Sequence, residues 1–233
     1  MLSSEIFYSV QGEGILTGVP SIFIRTSGCN LRCRWCDTPY ASWKPEGTDL
    51  TIEEILTKIR TWPAARHIVL TGGEPMVARD INLLIQLIRQ EAYHLTIETA
   101  GTIALPEAGC DLASLSPKLS NSTPQLGEIS DAWIARHEQT RRNLPVLRTW
   151  LQGARQTQLK FVISNETDLT EAEALANDLD DTLAPDQILL MPEGRTMEEL
   201  RARSAWLVDI CKAHGYRFCH RLHIELFGNT RGT

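Results

Sequence analysis

Cys29, Cys33 and Cys36 stand in the spacing C-x3-C-x2-C, within the run Ser27-Gly28-Cys29-Asn30-Leu31-Arg32-Cys33-Arg34-Trp35-Cys36-Asp37-Thr38. Thiolates are the usual ligands of iron–sulfur clusters. Three of them on one short loop can wrap three irons of a cubane [4Fe-4S] cluster. The fourth iron then keeps an open position, where a substrate or cosubstrate binds. The competing reading is zinc, which usually takes four ligands in two paired sets. Cys110, Cys211 and Cys219 form no such second pair, and Cys219-His220 could contribute only from a distance. Those three cysteines read as buried small hydrophobes.

A second constellation follows a strand-like run: Thr71-Gly72-Gly73-Glu74-Pro75. Two adjacent glycines let a backbone approach a ligand closely, and carbonyls there can accept from an ammonium group. Alone, this segment reads as a turn. Together with the cysteines it resembles the GGEP motif of the radical S-adenosylmethionine superfamily, in which an aromatic residue, here Trp35, precedes the third cysteine. In that superfamily the methionine amino and carboxylate groups of S-adenosylmethionine chelate the open iron, and the GGEP segment contacts the amino group.

The resemblance narrows further. Gln11-Gly12-Glu13-Gly14, Arg25, Cys36-Asp37-Thr38, Glu98-Thr99, Ser116-Pro117-Lys118 and the tail His223-Ile224-Glu225-Leu226-Phe227-Gly228-Asn229 resemble the 7-carboxy-7-deazaguanine synthase family of 7-deazapurine and queuosine biosynthesis. That resemblance implies a ring-contracting lyase. Such an enzyme converts 6-carboxy-5,6,7,8-tetrahydropterin to 7-carboxy-7-deazaguanine with loss of ammonia, through a 5′-deoxyadenosyl radical that takes hydrogen from C6. The implied cofactors are a [4Fe-4S] cluster, S-adenosylmethionine and Mg2+. No protein side chain is expected to act as a catalytic acid, base or nucleophile, because the radical arises on the cofactor.

The same resemblance assigns roles. Thr38 is the expected magnesium ligand, since a hydroxyl, waters and a substrate carboxylate suit the oxygen octahedron that magnesium prefers. Trp35, Cys36, Asp37, Gly73, Ser116, Pro117 and Lys118 are expected to contact S-adenosylmethionine. Val10, Gln11, Gly12, Glu13, Arg25, Thr71, His223 and Thr233 are expected at the substrate. Arg25 ends an apolar strand on the same face as Phe23, and a guanidinium fork there suits a carboxylate. Ala100, Phe227 and Met191-Pro192-Glu193-Gly194 depart from the family pattern. Another radical enzyme, such as a glycyl-radical-enzyme activase, would share the cysteines and Gly73 but would not need Gln11-Gly12-Glu13-Gly14. A non-enzymatic iron–sulfur or zinc module is the remaining alternative.

The elements that must position these residues are written in hydrophobic periodicity. Runs at 22–25, 67–71, 95–98, 112–116, 159–164, 188–191 and 222–226 are short, nearly continuous and apolar, as parallel strands covered on both faces are. Helical spacing follows at 52–59, 81–89, 171–179 and 197–213, with Thr51 and Glu54 forming a capping-box signature at the first. Alternating strands and helices predict an α/β fold with a parallel sheet. About six such units predict a partial, open TIM-like barrel of radical SAM type. The whole chain, 1–233, reads as one domain, with 119–156 an elaborated crossover that is helical over 133–142.

Composition excludes several classes. The chain carries 23 Lys and Arg against 29 Asp and Glu, a net charge of -6, without a dense basic run. Direct nucleic-acid binding is therefore not expected, and Arg141-Arg142 reads as a solvated helix face. The N-terminus has neither the basic nor the apolar region of a signal peptide. No stretch is long and apolar enough for a membrane span. A cytoplasmic location follows as the expectation. A pterin substrate, an electron donor such as flavodoxin or ferredoxin, and a second copy in a homodimer are the partners that the resemblance implies.

Overall fold

The computed structural model describes residues 1–179 and 183–233. Strands β1 (Leu2–Val10), β2 (Pro20–Thr26), β3 (Thr48–Asp49), β4 (His67–Gly72), β5 (His94–Thr99), β6 (Leu112–Leu115), β7 (Gln156–Ile163), β8 (Ile188–Pro192) and β9 (Arg217–Phe218) form one sheet in the order β3-β1-β2-β4-β5-β6-β7-β8-β9. Every neighbouring pair from β2 to β9 is parallel, while β1 runs antiparallel to both β2 and β3. The outermost strands β3 and β9 are not neighbours, so the sheet is open, as a partial barrel requires.

The helices are α1 (Pro39–Ser42), α2 (Ile52–Ile59), α3 (Ile81–Gln90), α4 (Asp131–Thr140), α5 (Leu144–Gly153), α6 (Glu166–Leu179), α7 (Met197–His214) and α8 (Leu222–Phe227). Both halves of the Thr51 capping box are present: Glu54 N donates to Thr51 Oγ1 at 3.2 Å, and Thr51 N donates to Glu54 Oε2 at 2.7 Å. Helix α2 then buries Ile55, Leu56 and Ile59. Thr196 and Glu199 repeat the device at α7, which stops at Gly215 in the left-handed region, φ 74°, where a Cβ would be strained.

Side chains alternate along each strand, and the two faces have different jobs. Ile22, Ile24, Ile68, Leu70, Leu95, Ile97, Ala113, Leu115, Leu159, Phe161 and Ile163 belong to the main core, with the helices. The intervening positions include Arg25, Thr71, Glu98, Ser114 and Lys160, and these line a cavity. Seven strands, β1, β2, β4, β5, β6, β7 and β8, supply residues to that one cavity, so the sheet curls around it. Its polar lining is why the strands are not apolar on both faces.

Three parts of the sequence reading need correction. Residues 222–226 form helix α8, not a strand. The first strand-like run read from the sequence is 22–25, but an earlier strand, β1, precedes it, so the 11–14 segment follows a strand and connects β1 to β2. The 119–156 segment, expected to be helical over 133–142, lies between β6 and β7 and carries two helices, α4 and α5, and the second buries Trp150 with its indole Nε1 donating to Ile103 O at 2.8 Å. Cys110 and Cys211 lie in the main core and Cys219 packs with Val162, Leu189 and Met191, the small-hydrophobe role expected of them.

Candidate functional site

The 27–38 loop leaves the end of β2 and folds back on the β4 end. Gly28, at φ 113°, donates its N–H to Ala41 O at 2.8 Å and accepts from Glu74 N at 3.0 Å. Gly73 fits into this contact so closely that a Cβ on it would lie 2.4 Å from Gly28 O, 2.5 Å from Ala41 O and 2.9 Å from Cys29 Cβ. The second glycine of the 71–75 segment is thus needed to seat the cysteine loop, besides lining the cavity. Glu74 anchors the segment from below. Its buried carboxylate accepts from Thr99 Oγ1 at 2.7 Å and Ala100 N at 2.8 Å. Burial raises its pKa despite these bonds.

Cys29, Cys33 and Cys36 gather around a small apolar nest with Leu31 and Ala100. All three are free thiols that line the cavity. Among the described residues, no three His, Cys, Asp or Glu side chains are grouped as the ligands of a single metal ion would be. A cubane asks for something different, because each thiolate binds its own iron. The donor set and its apolar neighbours therefore fit an iron–sulfur cluster. Burial pushes the Cys33 thiol up to about 12, and burial with the nearby Glu74 charge raises Cys29 further. Only a strongly cationic ligand makes thiolates there favourable.

The loop is buttressed from behind by α4. His137 is fully buried; its Nδ1 accepts from Arg32 N at 3.1 Å, and its Nε2 lies 3.0 Å from Ser122 Oγ. The Arg32 guanidinium stacks on Trp133, 4.1 Å from the ring centroid, and donates to Cys29 O at 2.8 Å. Arg141, expected on a solvated face, is instead half-buried and donates to Lys118 O at 3.1 Å and Glu171 Oε1 at 2.8 Å. It braces the 116–118 turn. There Lys118 Nζ donates to Ser116 Oγ at 2.8 Å and lies 5.4 Å from the Trp35 ring centroid. Trp35 in turn donates to Asn121 Oδ1 at 3.1 Å.

The cavity, about 440 Å³, joins the cysteine loop to the 11–14 loop and the chain's tail. Every site residue singled out from the sequence lines it except Pro117, which only connects Ser116 to Lys118. Gln11 Nε2 donates to Glu98 Oε1 at 3.0 Å. Arg25 Nε donates to Glu5 Oε1 at 2.8 Å, and Tyr40 Oη donates to the same oxygen at 2.7 Å. Thr38 begins α1 without a side-chain cap bond, its hydroxyl 3.8 Å from Cys36 Sγ. His223 reaches the cavity from α8, not from a strand, and packs on Gly12: a Cβ there would meet His223 Nδ1 at 2.0 Å.

Sequence reasoning missed Lys160, Arg221, Glu5, Tyr40, Arg195 and Arg231, which also line the cavity. Lys160 and Arg221 both bind Glu13, and Arg221 also binds Asp37. Burial alone would raise the Glu13 carboxyl, but the Lys160 and Arg221 charges override it and hold it well below its ordinary range. The one available signal was a charged residue at an inward strand position, as Lys160 is. In all, six cationic side chains face four carboxylates across the lining, a surplus suited to anionic ligands.

Several known proteins are similar to this chain. The radical SAM superfamily pattern matches residues 23–145. The 7-carboxy-7-deazaguanine synthase of Rhodopirellula baltica is 47% identical over 233 residues, covering 100% of this chain and 89% of that protein. That of Halobacterium salinarum is 41% identical over 237 residues, covering 99% and 91%. The crystal structure of QueE from Escherichia coli superposes with a TM-score of 0.65 at 28% identity, covering 95% of this chain and 94% of that one. SuiB of Streptococcus suis shares the fold alone, at a TM-score of 0.56 and 11% identity, covering 84% of this chain and 47% of that one. A cysteine loop seated on a glycine pair, a charged cavity inside an open parallel barrel, and near-complete overlap with these relatives have one common source: this chain belongs to the 7-carboxy-7-deazaguanine synthase family of the radical SAM superfamily.

Proposed function

We infer that the chain is a radical SAM lyase that converts 6-carboxy-5,6,7,8-tetrahydropterin to 7-carboxy-7-deazaguanine with loss of ammonia. The observation that carries this reading is a single cavity lined by three thiols together with Arg25, Gln11 and Glu98. Cys29, Cys33 and Cys36 would hold the [4Fe-4S] cluster. When bound and reduced, the cluster would supply the one electron that cleaves S-adenosylmethionine into methionine and the 5′-deoxyadenosyl radical, the species that would remove a hydrogen atom from the substrate.

The remaining work falls to the chain's own side chains. Lys118 and Ser116 offer a cation and a hydroxyl to the carboxylate or ribose of S-adenosylmethionine, with Trp35, Asp37 and Gly73 alongside. Arg25 presents its fork to the pterin carboxylate while Glu5 fixes its Nε. Gln11, Glu13 and Glu98 offer acceptors to the N–H-rich edge of the pterin, with Val10, Gly12, Thr71, His223 and Thr233 shaping its berth. Thr38, free of a cap bond, is the chain's candidate ligand for Mg2+, with the substrate carboxylate completing the oxygen set. Walls from seven strands exclude water from the radical step. The single sheet carrying these residues is why we treat 1–233 as one unit. An electron donor of the flavodoxin or ferredoxin type, a homodimer and a cytoplasmic setting complete the proposal.

The test is turnover. Anaerobically reconstituted protein with S-adenosylmethionine, a chemical reductant and carboxypterin should yield a product with a deazapurine spectrum. Arg25→Ala should keep its iron content and lose turnover by at least about a hundredfold, since a buried carboxylate partner is removed. A wild-type chain that cleaves S-adenosylmethionine but leaves the pterin intact overturns the reading. Normal turnover by Arg25→Ala removes the carboxylate clamp.

A further inference from the structure

Arg221 immediately precedes α8 and is buried, with 6% of its surface exposed. Its guanidinium has partners on three separate segments. Nε donates to Glu13 Oε1 at 2.9 Å in the 11–14 loop, Nη2 donates to Asp37 in the cysteine loop, and Nη1 donates to Gly194 O at 2.6 Å after β8. The next two residues hold the same 11–14 loop. Leu222 N donates to Gly12 O at 2.9 Å, and the His223 ring covers Gly12. Lys160 on β7 takes the other oxygen of Glu13, so this loop is pinned from the barrel wall as well.

As a stabilising device this network is poor. Buried ion pairs lose most of their attraction to desolvation, and apolar side chains of similar volume often do as well. The four charges also face the cavity and not the apolar core. Their placement is the informative part: Glu13 belongs to the segment assigned to the pterin, and Asp37 stands between Cys36 and Thr38 in the segment assigned to the cluster end.

We propose that Arg221 is a positioning residue that locks the 11–14 loop to the 27–38 loop, so that pterin and S-adenosylmethionine are held at one fixed separation. This rests on the substrate reading given above. Transfer of a hydrogen atom between two bound molecules depends on their near-contact geometry, and a misplacement of about 1 Å can cost about a hundredfold in rate.

The test looks for effects that cross from one loop to the other. In the reconstituted holoenzyme, S-adenosylmethionine affinity is read from the change it causes in the reduced cluster's paramagnetic resonance spectrum, and carboxypterin affinity from equilibrium dialysis. Glu13→Gln should weaken S-adenosylmethionine, and Asp37→Asn should weaken carboxypterin, each by roughly tenfold at unchanged iron content. Arg221→Gln should weaken both ligands, and in that background the two cross-effects should vanish. If Arg221→Gln fails to fold, Arg221→Lys replaces it with the same expectation, because an ammonium keeps the buried charge but cannot span both carboxylates. Effects confined to each residue's own ligand, or cross-effects that survive loss of the guanidinium, overturn the proposal. A wild-type chain that binds no carboxypterin removes the substrate reading and this proposal together, a result distinct from normal binding without cross-effects.

Discussion

Gly12 shows how much of the site is set by a single absent methyl group. A Cβ at this position would lie 2.0 Å from His223 Nδ1 and 2.9 Å from His223 Cβ. Rotating the imidazole relieves the first contact but not the second, so α8 itself has to move, and with it the Leu222 N to Gly12 O bond. Gly12→Ala should therefore raise the KM for carboxypterin by roughly tenfold or more, while iron content stays near wild type. Steady-state kinetics with the cluster quantified on the same sample decide it; an unchanged KM would mean that α8 yields freely and that His223 does not shape the substrate berth. Glycine at this position was legible as part of a motif, but its physical reason was not, because the group it makes room for lies more than two hundred residues away in the chain.

At the scale of elements, the cysteine loop depends on α4 behind it. His137 Nδ1 accepts from Arg32 N, which fixes the proton on Nε2, where it is donated to Ser122 Oγ. Protonating Nδ1 would break the bond to the loop, and burial lowers this imidazole to about 4 from its usual 6.5. The folded chain thus keeps His137 neutral down to about pH 4, while the unfolded chain takes up a proton near 6.5. Between these values the unfolded state binds more protons, so stability falls as pH falls. Lowering the pH from 7.5 to 5.5 should cost wild type on the order of 1 kcal/mol more than His137→Gln, read from urea midpoints. Equal losses in both proteins would remove His137 from the account. Elements of this kind were unevenly readable. The 133–142 helix was visible from its spacing, and 22–25 from its apolar run. The 222–226 segment was misread because Leu222-His223-Ile224-Glu225-Leu226 alternates with a period of two, although Leu222 and Leu226 also satisfy helical spacing and Gly228, at φ 68°, supplies the stop. Over five residues periodicity does not separate the two. Strand β1 was missed because its burial is partial on both faces, with no clean alternation to read.

On the scale of the whole molecule, what the sequence hides is pairing across distance. Glu13 meets Lys160 across 147 residues and Arg221 across 208, and no local pattern announces either. The barrel brings them together because inward positions on β1, β2 and β4 through β8 face one cavity. A ligand there touches loops from opposite ends of the chain, so its binding should stabilise the sheet as a unit. At a hundred times its Kd, a ligand specific to the folded state adds about 2.7 kcal/mol, and for a chain of this size each kcal/mol moves the unfolding midpoint by about 2–4 °C. S-adenosylmethionine should therefore raise the midpoint of the cluster-loaded protein by roughly 5–10 °C under anaerobic conditions. Replacing Cys33 by Ala should abolish the shift, because the thiol nest then no longer supplies three ligands and the cosubstrate loses its iron. A shift of equal size in Cys33→Ala would mean that the cavity walls alone hold S-adenosylmethionine, and that the cysteine loop contributes nothing to its affinity.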